Sequence, residues 1–222
     1  MTNRPILFSG PMVRALLAGT KTQTRRVLRM PDAPFDAVFN DNGVWSIGDA
    51  LTGAREHKLP VLIAVGDWLY VRETWSGTHA FRNTPPAQRE NCMTPDGPLL
   101  REDVWFWADG NPDGGDYEKP RPGIHMPRWA SRLTLTVTEV RVQRLQEISE
   151  EDARAEGITP LANGRYHCGY DEEGQITAKS PVTAYGWLWN SINGEDAWSR
   201  NPWVAAYTFT VEQKNIDQAE AA

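Results

Sequence analysis

The stretch that decides the fold is SRLTLTVTEVRVQRL, residues 131–145. Its threonines, valines and leucines predict a long strand. Leu133, Leu135 and Val137 share one parity, whereas Val140 and Val142 fall on the other. Successive side chains of a strand point to opposite faces, so a slip of one residue turns the apolar face over. The pattern therefore predicts a bulge or sharp bend near Thr138-Glu139. A strand bent in this way can serve two walls of a small barrel.

Downstream, LQEISEEDARAEGI (145–158) predicts a short helix, opened by Ser149 with Asp152 three residues on and closed by Gly157. GRYHCGYDEEGQIT (164–177) predicts a hairpin around Glu173-Gly174, and TAYGWLWNSI after Pro181 a second helix. PWVAAYTFTVE (202–212) reads as a closing strand, and residues 213–222 lack a burial pattern and read as a flexible tail.

Upstream, PILFSG (5–10) is a short strand, and Pro11 then opens a helix that Gly19 stops. TKTQTRRVLR (20–29) is a turn entering a strand. VWSIGD (44–49) and the alternating VGDWLYVRETW (65–75) are further strands. Residues 76–124 change character, with TPPAQRE, TPDGP and GNPDGGDYEKPRPG around one apolar run, VWFWA (104–108). They read as a long insertion. Strands outnumber helices, which predicts an α+β chain built on a small, mixed, partly open barrel.

The 222 residues carry a net charge of −6, which argues against binding to nucleic acid through overall charge and leaves room for a local basic cleft. Long duplex DNA is not an expected partner, because phosphate neutralisation drives that binding. Gly at 18 and Pro at 16 make the chain loop-rich but globular, and 10 Trp suggest a core and grooves of large flat side chains. The first residues carry too short an apolar stretch for a signal peptide, and no apolar run is long enough for a membrane span. With only Cys92 and Cys168, the chain reads as a reduced, cytoplasmic protein with no disulfide. The histidines are scattered and no Cys-x-x-Cys is present, so neither a metal nor a cofactor is expected.

Four sets of residues are candidates for chemistry. Lys21, Thr22, Thr24, Arg25 and Arg26 form either a solvated basic strand edge or an anion or nucleotide cleft. Lys21 and Thr24 differ by an odd number, so they converge only if Lys21 still lies in the turn leaving the helix. His125, Arg128, Trp129 and Arg132 mix cations with a stacking surface, as single-strand or base pockets do, or else Trp129 is core and Arg128 solvated. Glu156 sits at a helix end, where a carboxylate is slightly unfavourable. Arg72-Glu73-Thr74-Trp75 at a strand end is either a binding set or an internal ion pair beside a core aromatic.

LLAGTKTQTRR (16–26), GDWLYVRE (66–73) and LQEISEEDARAEG (145–157) together resemble an ASCH domain, a member of the PUA-like superfamily. With FSGPMVRALLAG (8–19) and IHMPRWASR (124–132), the chain is similar to the long ASCH proteins of phages and prophages, from about Pro5 to about Val211. The resemblance implies one PUA-like domain over 1–212, a mixed β-barrel flanked by short helices, with insertions near 76–124 and 159–180. It implies a cleft for a nucleoside or short single-stranded RNA. The small bacterial member most similar in the core is an N(4)-acetylcytidine amidohydrolase. Its catalytic Lys, Thr and Glu fall on Lys21, Thr24 and Glu156 here, and Arg25, Arg26, Glu73, Trp75, His125, Arg128, Trp129 and Arg132 would then contact substrate. A non-catalytic RNA- or modified-nucleotide-binding module, a ribonuclease, and a phage protein acting on a host protein through Trp-rich loops are the competing expectations.

Overall fold

The computed structural model describes residues 2–32, 35, 37–90, 92–94, 97–98, 103–171 and 174–220. The chain is α+β. Its elements in order are β1 (Asn3–Leu7), α1 (Gly10–Leu17), β2 (Gln23–Val27), β3 (Ala37–Asp41), β4 (Val44–Gly48), β5 (Arg55–Lys58) and β6 (Trp68–Arg72). After them come β7 (Trp75–Ser76), β8 (Met93–Thr94), β9 (Gly97–Pro98), β10 (Trp105–Phe106) and β11 (Thr134–Arg144). The last are α2 (Glu150–Ala155), β12 (Tyr166–Asp171), β13 (Gly174–Ala178), α3 (Pro181–Asn193), β14 (Trp203–Glu212) and α4 (Ile216–Glu220). Among the described residues no set of strands closes into a barrel, and no helix is long and apolar enough to cross a membrane. The chain divides into two compact units, Met1–Gly19 with Asp67–Thr136 and Thr210–Ala222, and Thr20–Gly66 with Val137–Phe209.

In the first unit β6 runs parallel to β1, with Asn3 opposite Trp68, and antiparallel to the start of β11, with Thr134 opposite Tyr70. Its core packs Trp75, Val104, Phe106, Met126, Trp129 and Ala130. The apolar run at 104–108 gives only the two-residue strand β10, because Trp107 turns into a 3-10 turn. The loop-rich segment around it is held by a buried charge. Arg89, 1% exposed, donates to both carboxylate oxygens of Glu118 (2.8 and 3.1 Å), and Arg121 donates to the same two (3.0 and 3.1 Å). Residues 213–220 have no apolar repeat, yet Ile216 is fully buried. The Asn215 Nδ2 lies within 2.8–3.0 Å of the carbonyl oxygens of Arg128, Trp129 and Ser131.

In the second unit β2 pairs antiparallel with β14, and β3, β4 and β5 form a separate antiparallel sheet. The hairpin β12–β13 forms as its sequence predicts; the turn residues 172–173 lie outside the described set. The expected break in β11 is a change of packing partners without an interruption of the strand. Thr138 and Glu139 are both exposed, and beyond them Val140 and Val142 pack with Leu28, Ala205 and Tyr207. Leu133 and Leu135, on the other parity, are buried in the first unit.

Candidate functional site

The second unit brings Lys21, Arg25, Asp152 and Glu156 together through two local devices. The first is helix α2. Ser149 accepts the N–H of Asp152 and opens the helix. Glu156 is the C-cap, and Gly157 follows with φ 99°. The N–H of Gly157 donates to Arg154 O, and that of Ile158 to Ala153 O, the paired bonds that finish a helix on a left-handed glycine. Asp152 and Glu156 lie four residues apart and so share one face of the helix.

The second device is the approach of the chain into β2. Thr22 N–H donates to Ala155 O (2.8 Å), and Lys21 forms an isolated antiparallel bridge with Glu156. Strand alternation then puts Gln23 and Arg25 on one face and Thr24 and Arg26 on the other. The bonds follow this division. Arg25 Nη1 donates to Gln23 Oε1 (2.5 Å), whereas Arg26 Nη1 donates to the Thr24 hydroxyl (2.9 Å).

Lys21 Nζ donates to Glu156 Oε2 at 2.7 Å and to the Glu156 carbonyl oxygen at 2.9 Å. Arg25 Nη1 donates to Glu156 Oε1 at 3.0 Å, and its Nη2 to Asp152 Oδ2 at 2.9 Å. The other Asp152 oxygen accepts Gln23 Nε2 (3.0 Å) and Arg141 Nη2 (2.7 Å). The Tyr185 hydroxyl, from α3, donates to Glu156 Oε1 at 3.4 Å. Lys21 is 0% exposed, Thr24 1% and Glu156 4%.

So many charges out of water shift their proton equilibria. Burial pushes the Lys21 amine below the ordinary lysine range. Glu156 pulls it back, Arg26 and Arg25 add to the fall, and the net direction is down. Burial also lowers Arg26, against the pull of Glu156. The Tyr185 phenol is held well above its usual value, by burial first and then by the Glu156 charge. Burial would raise Asp152, but hydrogen bonds from Arg141 and Gln23 and the charges of Arg25 and Arg141 hold it down at about 2. The cluster therefore offers an amine of lowered basicity and a carboxylate touching it, and on the other face of β2 the Thr24 hydroxyl accepts a hydrogen bond from the Arg26 guanidinium.

The remaining sequence candidates lie in the first unit. Arg132 donates to both oxygens of Glu73 (2.9 and 3.1 Å) and both of Asp109 (2.7 and 2.9 Å), and lies 4.1 Å from the Phe106 ring. Burial pushes the Glu73 carboxyl up more than Arg132 pulls it down. Trp75 is wholly buried in edge contact with Trp129, whose indole N–H donates to Pro86 O. Both rings are core, so the stacking surface expected at Trp129 is spent on internal packing. Arg128 pairs with Asp217 at 2.5 Å. His125 is exposed at the end of a one-turn 3-10 helix.

Asp152, Gln23, Arg141 and Tyr185 belong to the cluster and were not foreseen as site residues. The four-residue spacing of Asp152 and Glu156 was the readable signal for the first. Parity with Arg25 was the signal for Gln23. Tyr185 and Arg141 carried none, because nothing local ties them to residues 21–26. Two clefts line the exposed side of α3, of about 320 Å³ around Trp187 and Trp198 and about 470 Å³ between Trp187 and Ile176. Neither is lined by a residue of the cluster, and neither has an acid touching a base, so the buried cluster is the better candidate for chemistry. Compared with protein-family models, curated proteins and solved structures, the chain matches none.

Proposed function

We propose that the second unit carries an amidohydrolase site that removes an acyl group from the exocyclic amine of N(4)-acetylcytidine or a related modified base. The observation that carries this reading is the Lys21–Glu156 contact, in which a fully buried amine of lowered basicity is held at 2.7 Å by a carboxylate. A neutral amine is a competent base for a hydroxyl nucleophile. The resemblance of residues 16–26, 66–73 and 145–157 to an ASCH domain, and hence to a PUA-like fold, supports the same residues in the same roles.

In this mechanism the Thr24 hydroxyl attacks the acyl carbon and passes its proton to neutral Lys21. Arg26, which already donates to the Thr24 oxygen, stabilises negative charge as it develops. The tetrahedral adduct collapses as the protonated Lys21 returns its proton to the leaving amine. Water then cleaves the Thr24 ester, again with Lys21 as base, and yields acetate. Glu156 fixes Lys21 throughout and balances its charge while the amine is protonated.

One observation favours a second reading. Lys21, Arg25, Asp152 and Glu156 pair with one another while buried, which is also how a purely structural tie between β2 and α2 is built. In that reading the unit binds a modified nucleoside or short single-stranded RNA without hydrolysing it. Release of cytidine from N(4)-acetylcytidine, measured for wild type, Lys21→Ala, Thr24→Ala and Glu156→Ala, separates the two. Turnover in the wild type and its loss in the three variants supports the enzyme. No turnover in the wild type at any pH, or equal turnover in all four proteins, sinks it. Cleavage of labelled RNA would instead point to a ribonuclease.

A further inference from the structure

We propose that Asp152 is a positioning residue that reserves one oxygen of Glu156 for Lys21 by occupying half of the Arg25 guanidinium. The inference rests on the reading of Lys21 and Glu156 as the working pair. A guanidinium facing a lone carboxylate prefers to engage both oxygens with two parallel N–H bonds. Arg25 does not do this. Its Nη1 reaches Glu156 Oε1 at 3.0 Å, and its Nη2 goes to Asp152 Oδ2 at 2.9 Å. Glu156 Oε2 is thereby left to Lys21 at 2.7 Å.

Asp152 is equipped to hold that position. Its carboxylate stays ionised across the working range, and its second oxygen is anchored by Gln23 Nε2 at 3.0 Å and Arg141 Nη2 at 2.7 Å. Gln23 is itself fixed by donating to Thr208 Oγ1 (3.1 Å), and turns its own oxygen to Arg25. Besides Glu156, the two acceptors that hold Arg25 are Asp152 itself and Gln23, which is bonded to Asp152. The helix matters as well. Four residues separate the carboxylates, one turn of α2, which is about 5–6 Å between side-chain origins and close enough for one guanidinium to span.

Neutralising residue 152 removes the reason for the split. Arg25 is then free to close on both Glu156 oxygens, and Lys21 loses its share of the anion. The other charges facing Lys21 are Arg25 and Arg26 from β2, with Tyr185 from α3 near Glu156. Those facing Asp152 are Arg25 from β2 and Arg141 from β11, with Glu139 behind Arg141. Losing the Glu156 contact and retaining these cations both act to deprotonate Lys21.

The test is an NMR titration of the Lys21 side-chain nitrogen, identified by the signal missing in Lys21→Met. Asp152→Asn is expected to move its midpoint down by about one pH unit, a tenfold change in the neutral fraction. Asp152→Glu is expected to restore it. In an Arg25→Lys background, which lacks the fork, Asp152→Asn is expected to have no further effect. Asp152→Ser supplies a second neutral side chain should the amide variant not fold. A folded neutral variant with an unmoved Lys21 titration overturns the proposal, as does an equal shift in the Arg25→Lys background. The pH profile of kcat on N(4)-acetylcytidine is measured alongside and should shift to acid by the same interval. Absence of turnover in the wild type removes the amidohydrolase reading while the titration still decides the role of Asp152.

Discussion

Lys21 and Glu156, 135 positions apart, are joined twice. Their backbones form an antiparallel bridge, and the lysine amine donates to both the carboxylate and the carbonyl oxygen of the same glutamate. The side-chain contact is thus registered by main-chain geometry, so its short distance does not depend on a flexible lysine finding its partner. Lys21→Met and Thr24→Ala are each expected to lower deacetylation of N(4)-acetylcytidine by at least about 100-fold. Glu156→Gln should lose as much activity and also about 3 kcal/mol of stability, because Arg25 keeps a buried charge, and Lys21 a buried amine, without their shared anion. Steady-state kinetics beside urea denaturation checks both halves.

The acid limb of stability should carry the signature of Asp152. Its folded value, about 2, lies below the ordinary 3.8. The unfolded chain therefore binds the proton more readily, and the stabilisation is complete above about pH 4 and fades as pH falls toward 2. The lost contribution is on the order of 2 kcal/mol. Urea midpoints at pH 5 and pH 2.5 should converge between wild type and Asp152→Asn as the medium becomes acid.

The loop-rich segment of the first unit should depend on Arg89. Its guanidinium is almost wholly buried against Glu118, and a Cβ added at Gly77 would sit 2.6 Å from Arg89 Nη1. Arg89→Ala leaves Glu118 half satisfied and is expected to cost about 3–5 kcal/mol. Limited proteolysis should then cut first between residues 76 and 124. A cut pattern identical to wild type would contradict this account.

Gly157 should be intolerant of any side chain. Its φ of 99° lies where L residues are strained, and the carboxylate that it aims is next to it. Gly157→Ala is expected to cost at least about 1 kcal/mol and to reduce deacetylation more than it reduces the thermal midpoint, read on the same preparation.

Local chemistry was legible in the sequence wherever neighbours in the chain decide it. The Pro11 start of α1, the Ser149 and Gly157 limits of α2, the β12–β13 hairpin and the last strand all follow from turn and cap residues close by. The change of apolar parity in β11 was readable too, although its cause was not. The residues switch from the core of one unit to that of the other, and the backbone stays in strand. Trp75, Trp129 and Arg132 have the composition of a binding surface, and only distant contacts with Pro86, Phe106 and Asp109 show them filled from within. Strands β3 and β5 were missed because their mostly exposed residues carry no alternation.

The first unit is assembled from three separate stretches, 1–19, 67–136 and 210–222, with the second unit's segments threaded between them. Asn215, whose amide gathers the carbonyls of Arg128, Trp129 and Ser131, belongs to the last of these. The first stretch can meet its partners once 67–136 has been made, since β1 pairs with β6, but residues 210–222 join the unit only after the second unit's segments have been made. The nascent protein has a long interval with apolar strands uncovered, a state prone to association. Folding yield, more than final stability, should thus respond to the speed of synthesis and to chaperone supply.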